Sequence, residues 1–479
     1  MTAATGTVPI MGDGPPSSGG AGARAFRRLW LAQGLSDAGD GMTLAAGPLL
    51  MTALTSDPVL IGGAAGVQQV PVLLFGLFGG ALVDRRDARR LIVVTDLLRG
   101  LLMVLLSVGL GAGVVEGGVG VVAVYATVFL LGAGDCLVRP ASLALLPGIV
   151  APHRLAAANA RLQATSTVGG LMVAPPVGAL LFALARPLPF AADALSFVVG
   201  ALLLLGLPAK HAPTAGSAAS FRRDVTAGLR WLLRHPRLRT LALCMVVMNI
   251  TLGGVIATLV IYSDRRLGIT GVGYGGLLAC IAVGSVAGSV AANRLRRAFG
   301  PGRLLAIGLV IETCTHLSLA LVRVPVAAAL VLVVFGVHDG VWGIVTTTAR
   351  QQLIPEQMRG RVQSAYLTFS VGGHAVGGFL GGALVALGGP TGPLWFAFGL
   401  MSLLCLLAGP FVCGRTGLAI DVSIPTPCGG GHGSPAAPIV AAAPTVGPTA
   451  PGGGLTCATR GRSRAAGVDP TTSTPWRIP

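Results

Sequence analysis

Apolar residues along this chain gather into long runs, and short basic or glycine- and proline-rich segments separate the runs. A run of about 20 apolar residues is long enough to cross the hydrocarbon core of a bilayer. The chain contains twelve such runs, at 28–54, 59–83, 91–112, 119–147, 157–185, 189–208, 240–262, 272–293, 303–322, 326–349, 362–387 and 393–412. The pattern predicts an all-α polytopic membrane protein with twelve transmembrane helices.

Composition and the placement of charge support this prediction. The 479 residues are 53% hydrophobic and only 11% charged, whereas soluble domains carry about 25% charged residues. The net charge of +17 would suggest nucleic-acid binding in a soluble protein. Here the arginines gather in alternate loops, and the opposite loops carry only Arg186, Arg265, Arg266 and Arg323. This asymmetry predicts a multi-pass protein of the inner cell membrane, with cytoplasmic termini and no nucleic-acid partner.

A weak internal repeat divides the chain into two halves. Glycines and alanines around Gly170 recur around Gly373, at an offset of 203 to 209 residues. Such an offset is typical of two six-helix pseudo-repeats with a substrate site between them. The predicted domains are a disordered cytoplasmic N-terminus at 1–25, a six-helix bundle at 26–208, a basic cytoplasmic linker with an amphipathic helix at 209–239, a second six-helix bundle at 240–412, and a disordered cytoplasmic tail at 413–479.

Two aspartates in the first run are the first candidates for function. Counted from Arg28, Asp37 and Asp40 lie about 13 and 18 Å into a core that is about 30 Å thick. Their i,i+3 spacing places both on one helix face, which must point into the bundle or into a wet cavity. Two neighbouring carboxylates in a poor solvent favour the binding of a proton. Proton coupling is the hypothesis, and structural capping or bridging of helices is the alternative.

The fourth run contributes Asp135 and Arg139 at i,i+4 spacing, which predicts an ion pair within one helix. In the second half, Glu312 and His316 have the same spacing, and His338 precedes Asp339. Such pairs could relay protons, or they could be hydrogen-bonded packing groups. The Glu312/His316 spacing lacks a third and a fourth ligand. We therefore expect no metal, and no other cofactor.

The segment GALVDRRDARR, Gly80 to Arg90, joins the second and third runs. Its four arginines and two aspartates cannot lie in lipid, and its spacing resembles the loop between helices 2 and 3 of major facilitator superfamily transporters. That resemblance implies a cytoplasmic gating loop in which Asp84 accepts hydrogen bonds and latches the two halves. The gating residues that we expect are Gly80, Asp84, Arg85, Arg89 and Arg90, extended by Asp96 and Arg99 at the cytoplasmic end of the third helix.

Other motifs resemble one branch of that superfamily. The segment GGLMVAPPVGA resembles an antiporter motif that packs helices closely, with candidate residues Gly170, Ala174, Pro175 and Gly178. The segments RPASLALLP, FRRLWLAQGLSDAGDGM and PEQMRGRV are similar to drug-exporting, macrolide-efflux and enterobactin-exporter proteins. The resemblance implicates Arg139 in substrate binding or proton coupling. The prolines of the antiporter-like segment are expected to bend its helix.

These observations predict a secondary transporter, not an enzyme. The expected task is proton-coupled export of a small amphipathic molecule, such as a drug, macrolide, siderophore or secondary metabolite, by alternating access. No phosphate-binding loop for direct ATP drive is present. The alternatives are a proton-coupled uptake symporter and a non-transporting sensor or scaffold. The expected partners are the substrate, protons and the lipid bilayer, and a monomer is expected.

Overall fold

A computed structural model of the protein describes residues 19–83, 86–207, 228–269, 271–355 and 358–413. The helices of the N-terminal half are α1 (Gly19–Leu54), α2 (Pro58–Val83), α3 (Ala88–Gly111), α4 (Gly117–Leu145), α5 (Leu155–Thr165, Ser166–Val173 and Ala174–Leu184) and α6 (Leu188–Leu205). Those of the C-terminal half are α7 (Pro236–Arg265), α8 (Val272–Phe299), α9 (Pro301–Leu321), α10 (Pro325–Leu353), α11 (Arg359–Gly388) and α12 (Gly392–Cys413). The described residues contain no β-strand.

The twelve predicted spans correspond to these helices, with the largest shift at the start of α1. By length and hydropathy alone, ten segments qualify as membrane spans. Helix α1 is not among them, because Asp37, Asp40 and several glycines lower its mean hydropathy. Helices α11 and α12 count as a single segment, Ala365–Ala408. Large apolar side chains such as Leu387, Val290 and Leu406 are 87%, 77% and 75% exposed, as the lipid-facing side of a bundle requires.

Each half repeats the same helix pairings. Helix α1 packs against α5, α2 against α4, and α3 against α6, while α7 packs against α11, α8 against α10, and α9 against α12. Small residues mark equivalent contacts. A Cβ atom added to Gly170 would lie 2.9 Å from the backbone oxygen of Asp37 on α1, and one added to Gly373 would lie 3.0 Å from that of Val246 on α7. The sequence repeat is thus a repeat of helix contacts.

Two helix pairs make the most extensive contacts between the halves. Helix α2 packs against α11, and α5 against α8. The α2–α11 contact is a glycine seam of Gly62, Gly66, Gly378 and Gly382. A Cβ added to Gly62 would lie 2.7 Å from the Gly382 nitrogen, and one added to Gly378 would lie 2.7 Å from the Gly66 nitrogen. We call the end with the α2–α3 turn the basic end. The seam lies toward the other end, called the opposite end, where α2 begins.

The Ser166–Val173 segment of α5 is π-helical, and the backbone N–H of Ala174 donates to the oxygen of Gly169, five residues earlier. The prolines were expected to bend this helix. Pro175 and Pro176, which have no N–H to donate, directly follow this wide turn. A bend of the helix at these prolines stays a prediction.

The basic linker is only partly described. Phe221 and Val225, two apolar residues of the predicted amphipathic helix, lie outside the described residues. Leu232, a third, is fully buried and belongs to the same core as Leu238 and Leu241 at the start of α7. At this position the linker packs on the C-terminal half.

Candidate transport site

Arg99 of α3 is the centre of a buried charged cluster in the N-terminal half. Its Nη2 lies 2.9 Å from Asp40 Oδ1 on α1 and 3.1 Å from Asp135 Oδ1 on α4, and its Nη1 lies 3.8 Å from Asp96 Oδ1 on α3. We call Asp40, Asp96, Arg99 and Asp135 the Arg99 cluster. It joins three helices through one guanidinium, whose fan of N–H donors suits several carboxylates at once.

The cluster is buried on one side and open on the other. The side chains of Arg99 and Asp96 are only 4% and 5% exposed, whereas those of Asp40 and Asp135 are 38% and 26% exposed. The Phe197 ring of α6 covers the guanidinium, with 4.3 Å between Arg99 Cζ and the ring centroid. A buried charge without a partner is costly, so the ion pairs with Arg99 hold the carboxylates of α1 and α4 against α3. Asp40 remains accessible within this arrangement.

The prediction that Asp96 and Arg99 extend the loop at the cytoplasmic end of the third helix was wrong. Arg99 lies about 16 Å along α3 from its first residue, and it pairs with Asp40 and Asp135. The side chains therefore belong to the middle of the bundle. These ion pairs form because α1 and α4 pack against α3. The spacing of residues within one helix does not indicate which helices will pack together.

The predicted ion pair between Asp135 and Arg139 was also wrong. Asp135 pairs with Arg99 instead, and Arg139 is exposed, with no ion pair among the described residues. Residues at i,i+4 share a helix face, but the side chain of Asp135 follows the closer guanidinium on α3. Arg139 is left as a cation available to another group.

Asp37 lies beside the Arg99 cluster but outside it. Its Oδ2 is buried and has no hydrogen-bond partner. Its backbone contacts Gly170 of α5. The spacing of Asp37 and Asp40 predicted one shared face, yet only Asp40 reaches Arg99.

Asp193 of α6 is a buried acid that the sequence analysis missed. Its exposure is 0%, and its Oδ2 accepts a 2.7 Å hydrogen bond from Thr43 Oγ1 of α1. Ser196 Oγ lies 3.3 Å from Oδ1. The sequence could have indicated Asp193. It is an ionisable residue within an apolar run, and Asp37 and Asp40 were selected by the same criterion.

The C-terminal half holds a second buried group, between α9 and α10. Glu312 Oε2 lies 3.3 Å from His338 Nε2, and Glu312 Oε1 lies 3.9 Å from His316 Nε2. All three residues are at most 4% exposed. The sequence paired Glu312 with His316, but His338 is the closer partner. Asp339 is exposed and accepts a 3.2 Å hydrogen bond from Ser285 of α8.

The basic loop acts within the N-terminal half in the part that the structure describes. Asp87 is the N-cap of α3, accepting hydrogen bonds from the backbone nitrogens of Arg89 and Arg90 at 2.9 and 3.4 Å. The Arg89 side chain donates to the backbone oxygens of Leu205, at 3.1 Å, and Leu207. A cation at the carboxyl end of α6 is favourable. Arg90 is exposed and lies 3.9 Å from Asp87.

The predicted latch at Asp84 cannot be located among the described residues. Asp84 and Arg85 fall outside the described residues, and Gly80 lies in the last turn of α2. A latch between the halves at Asp84 stays a prediction.

The small-residue motif of α5 lies between two helices. Gly178 faces α1, where an added Cβ would lie 2.3 Å from the Met42 oxygen, and the Cβ of Ala174 would lie 2.7 Å from one added to Gly41. On a different face of α5, Pro175 and Ala179 contact Gly275 of α8. A Cβ added to Gly275 would lie 2.8 Å from the Pro175 oxygen. The motif thus brings α5 close to both halves, as small residues do in membranes.

Comparison with known proteins identifies the family. Residues 21–413 match the model of the family described as transmembrane secretion effector, within the major facilitator superfamily. The chain belongs to this family. It is a multi-pass transporter and not an enzyme.

Relatives and solved structures agree with this assignment. The chain is 24% identical over 372 residues to proteins named enterobactin exporter EntS from Shigella boydii serotype 4 and Escherichia coli O1:K1, covering 77% of this chain and 86% of each relative. A bacterial homologue of the iron transporter ferroportin, in an inward-facing state, has the same fold, with a TM-score of 0.65, 16% identity, and coverage of 82% of this chain and 99% of that one. The nucleoside transporter NupG also matches, with a TM-score of 0.65, 14% identity, and coverage of 80% and 97%.

In the described part of the chain, no group of three or more His, Cys, Asp or Glu residues could hold a metal ion.

Proposed function

We propose that this transporter exports a small amphipathic molecule in exchange for protons, and that Asp40 and Arg99 form the coupling pair. The observation that carries the proposal is the 2.9 Å ion pair between Arg99, which is buried, and Asp40, whose side chain is 38% exposed. A partly exposed carboxylate that is neutralised by a buried cation can exchange that cation for a proton. The names of the curated relatives support export over uptake.

The proposed orientation places the basic end in the cytoplasm, because arginine-rich loops remain there. The glycine seam joins the halves toward the opposite end. In this orientation the seam closes the outer side, and the described state is inward-facing. Substrate enters from that side, and opening of the glycine seam releases it outside.

Coupling follows from what a proton on Asp40 would do. A neutral Asp40 no longer attracts Arg99, which keeps its pairs with Asp135 and Asp96 on α4 and α3. The α1–α3 ion pair is thereby lost, and α1, which packs on α5, is free to move with it. One proton moving down about 100 mV releases about 2.3 kcal/mol, enough for a concentration ratio of about 50.

Other charged groups have supporting roles in this proposal. Arg139, exposed and without an ion pair in the described chain, would bind a negative or electron-rich group of the substrate. Asp37, with a buried unpartnered oxygen, would accept a hydrogen bond from substrate or water. Glu312, His316 and Asp339 would provide a second path for protons in the C-terminal half.

Inside-out vesicles test the proposal. Wild-type vesicles energised by respiration should accumulate at least one of three probes: ethidium, erythromycin or a catecholate siderophore. Asp40→Asn should abolish accumulation but keep downhill exchange. The asparagine carries no negative charge to pair with Arg99 and cannot bind or release a proton. Glu116→Gln is the matched control, since Glu116 is exposed and makes no side-chain capping hydrogen bond. Accumulation in Asp40→Asn with unchanged pH dependence would overturn the coupling assignment.

The same vesicles separate the alternatives. Proton-driven uptake into right-side-out vesicles, without export, would identify a symporter. Failure of every probe to move in either orientation, with correctly folded protein, would favour a sensor or scaffold.

A further inference from the structure

Asp193 differs from the three acids of the Arg99 cluster because it forms no ion pair among the described residues. Arg99 lies within 4 Å of Asp40, Asp96 and Asp135, whereas the described structure gives Asp193 hydroxyl partners only. With 0% exposure, it has no water to solvate a charge. A buried carboxylate without a counter-ion costs several kcal/mol, and a neutral acid avoids this cost.

The hydroxyl hydrogens around Asp193 can be counted. Thr43 Oγ1 donates to Asp193 Oδ2 at 2.7 Å. Ser196 Oγ donates its single hydrogen to the backbone oxygen of Asp193, also at 2.7 Å. That hydrogen is then engaged, yet Ser196 Oγ still lies 3.3 Å from Asp193 Oδ1. A proton on Oδ1 completes the set, because a carboxylic acid can donate to the free lone pair of Ser196.

The helix packing around Asp193 leaves just enough space for its carboxyl group. Gly39 of α1 passes directly over it, and a Cβ at this position would lie 2.2 Å from both Asp193 Oδ1 and Ser196 Oγ. Gly39 is the chain neighbour of Asp40, and Thr43 lies one helical turn beyond Asp40. The stretch of α1 that carries Asp40 is therefore the stretch that contacts Asp193.

The charged surroundings of Asp193 come from two helices. Helix α1 contributes Asp40, and α3 contributes Arg99 with Asp96 beyond it. The segment of α5 that packs on α6, Ala174–Leu184, has no titratable side chain. Phe197, one turn from Asp193, contacts the guanidinium. Asp193 thus responds to whether Asp40 is charged and to where Arg99 lies.

We infer that Asp193 is a second proton-binding group of the N-terminal half, a buried store that Asp40 loads and unloads. The transfer balances as a proton leaving the Asp40 carboxyl group for the Asp193 carboxylate, which leaves Asp40 ionised and free to pair with Arg99. Asp40 is the exposed entry, and Asp193 is the protected end. The inference rests on the proposed proton-coupled export.

Infrared difference spectroscopy of the purified full-length protein tests the store without any substrate. Wild type should show the C=O band of a protonated carboxyl group at neutral pH, and this band should be absent in Asp193→Asn. The amide introduced by this substitution keeps an acceptor for Thr43 and a donor for Ser196, so the fold is preserved. Thr43→Val should shift the band to higher frequency, because the C=O group loses its hydrogen bond. A neutral-pH band that survives Asp193→Asn, or that ignores Thr43→Val, overturns the inference.

The link to Asp40 has its own readout. In Asp40→Asn, the Asp193 band should disappear at a pH lower by about one unit, because a neighbouring negative charge has been removed. If the Asp193 band titrated at the same pH in Asp40→Asn as in wild type, the proton on Asp193 would be independent of Asp40. That result would overturn the role of Asp193 as a proton store. These spectra do not depend on transport. Failure of probe accumulation in wild-type vesicles would therefore refute the proposed export separately.

Discussion

Asp40 of α1 and Arg99 of α3 are 59 positions apart in the chain, yet Oδ1 of the first lies 2.9 Å from Nη2 of the second. The same Nη2 lies 3.1 Å from Asp135 of α4. One buried side chain therefore fixes the relative positions of three helices.

Removal of this side chain should destabilise the N-terminal half. Arg99→Ala leaves Asp96, which is 3% exposed, without its cation, and such a loss costs about 3–5 kcal/mol. Denaturation of the purified protein in mixed detergent measures the change. Arg139→Ala is the control, an exposed arginine of the same half with no ion pair in the described chain. We expect a loss below about 1 kcal/mol there. Equal losses in the two variants would contradict the central role of Arg99.

The two loop arginines should differ in their contribution to stability. Arg89→Gln removes the guanidinium that binds the last carbonyl oxygens of α6, and a cation at a helix C-terminus is worth about 0.3–2 kcal/mol. Arg90→Gln should change stability negligibly, since its side chain is 78% exposed and 3.9 Å from Asp87. Detergent denaturation measures both. A larger effect at Arg90 than at Arg89 would mean that the loop acts through contacts other than the α6 end.

The glycine seam should control the conformational equilibrium. A Cβ at Gly382 would lie 2.4 Å from the Pro58 oxygen, so Gly382→Ala should force α2 and α11 apart and favour opening at the opposite end. Labelling of a cysteine introduced at Thr52, which lines a cavity of about 550 Å³ at that end, should become faster.

Gly47→Ala is the control for the seam, because nothing lies within 4 Å of its added Cβ. Alanine also has a higher helix propensity than glycine by about 1 kcal/mol. This variant should be as stable as the wild type or slightly more stable, with unchanged labelling. Unchanged labelling in Gly382→Ala as well would show that the seam does not limit opening.

The buried group of the C-terminal half makes a further prediction. His338→Ala removes the closest partner of Glu312, leaving His316 at 3.9 Å. A buried polar group that loses its hydrogen bond costs about 1–3 kcal/mol. The loss should appear in thermal unfolding, whereas Cys314→Ala on the exposed side of α9 should be near neutral. A His338→Ala protein as stable as the control would show that Glu312 is satisfied without His338.

The number and order of the helices could be predicted from the sequence, because the bilayer imposes a length on each apolar run. The partners of the charged side chains could not. Spacing within one helix assigned Asp135 to Arg139, but the pairing depends on which helices meet, and α3 brings Arg99 closer. Asp87 was not among the predicted gating residues, although an aspartate just before a helix is a common N-cap. The capping rule would have found its role.

The π-helical turn of α5 contains one residue more than a regular α-helical turn would. If Ser166–Val173 were to rewind as a regular α-helix, the segment that follows would rotate by about 100° and shift by about 1.5 Å along the axis. That segment carries the face that contacts α1 and the face that contacts α8. A change of register at one turn would therefore reach both halves of the transporter as a screw motion, without breaking the helix.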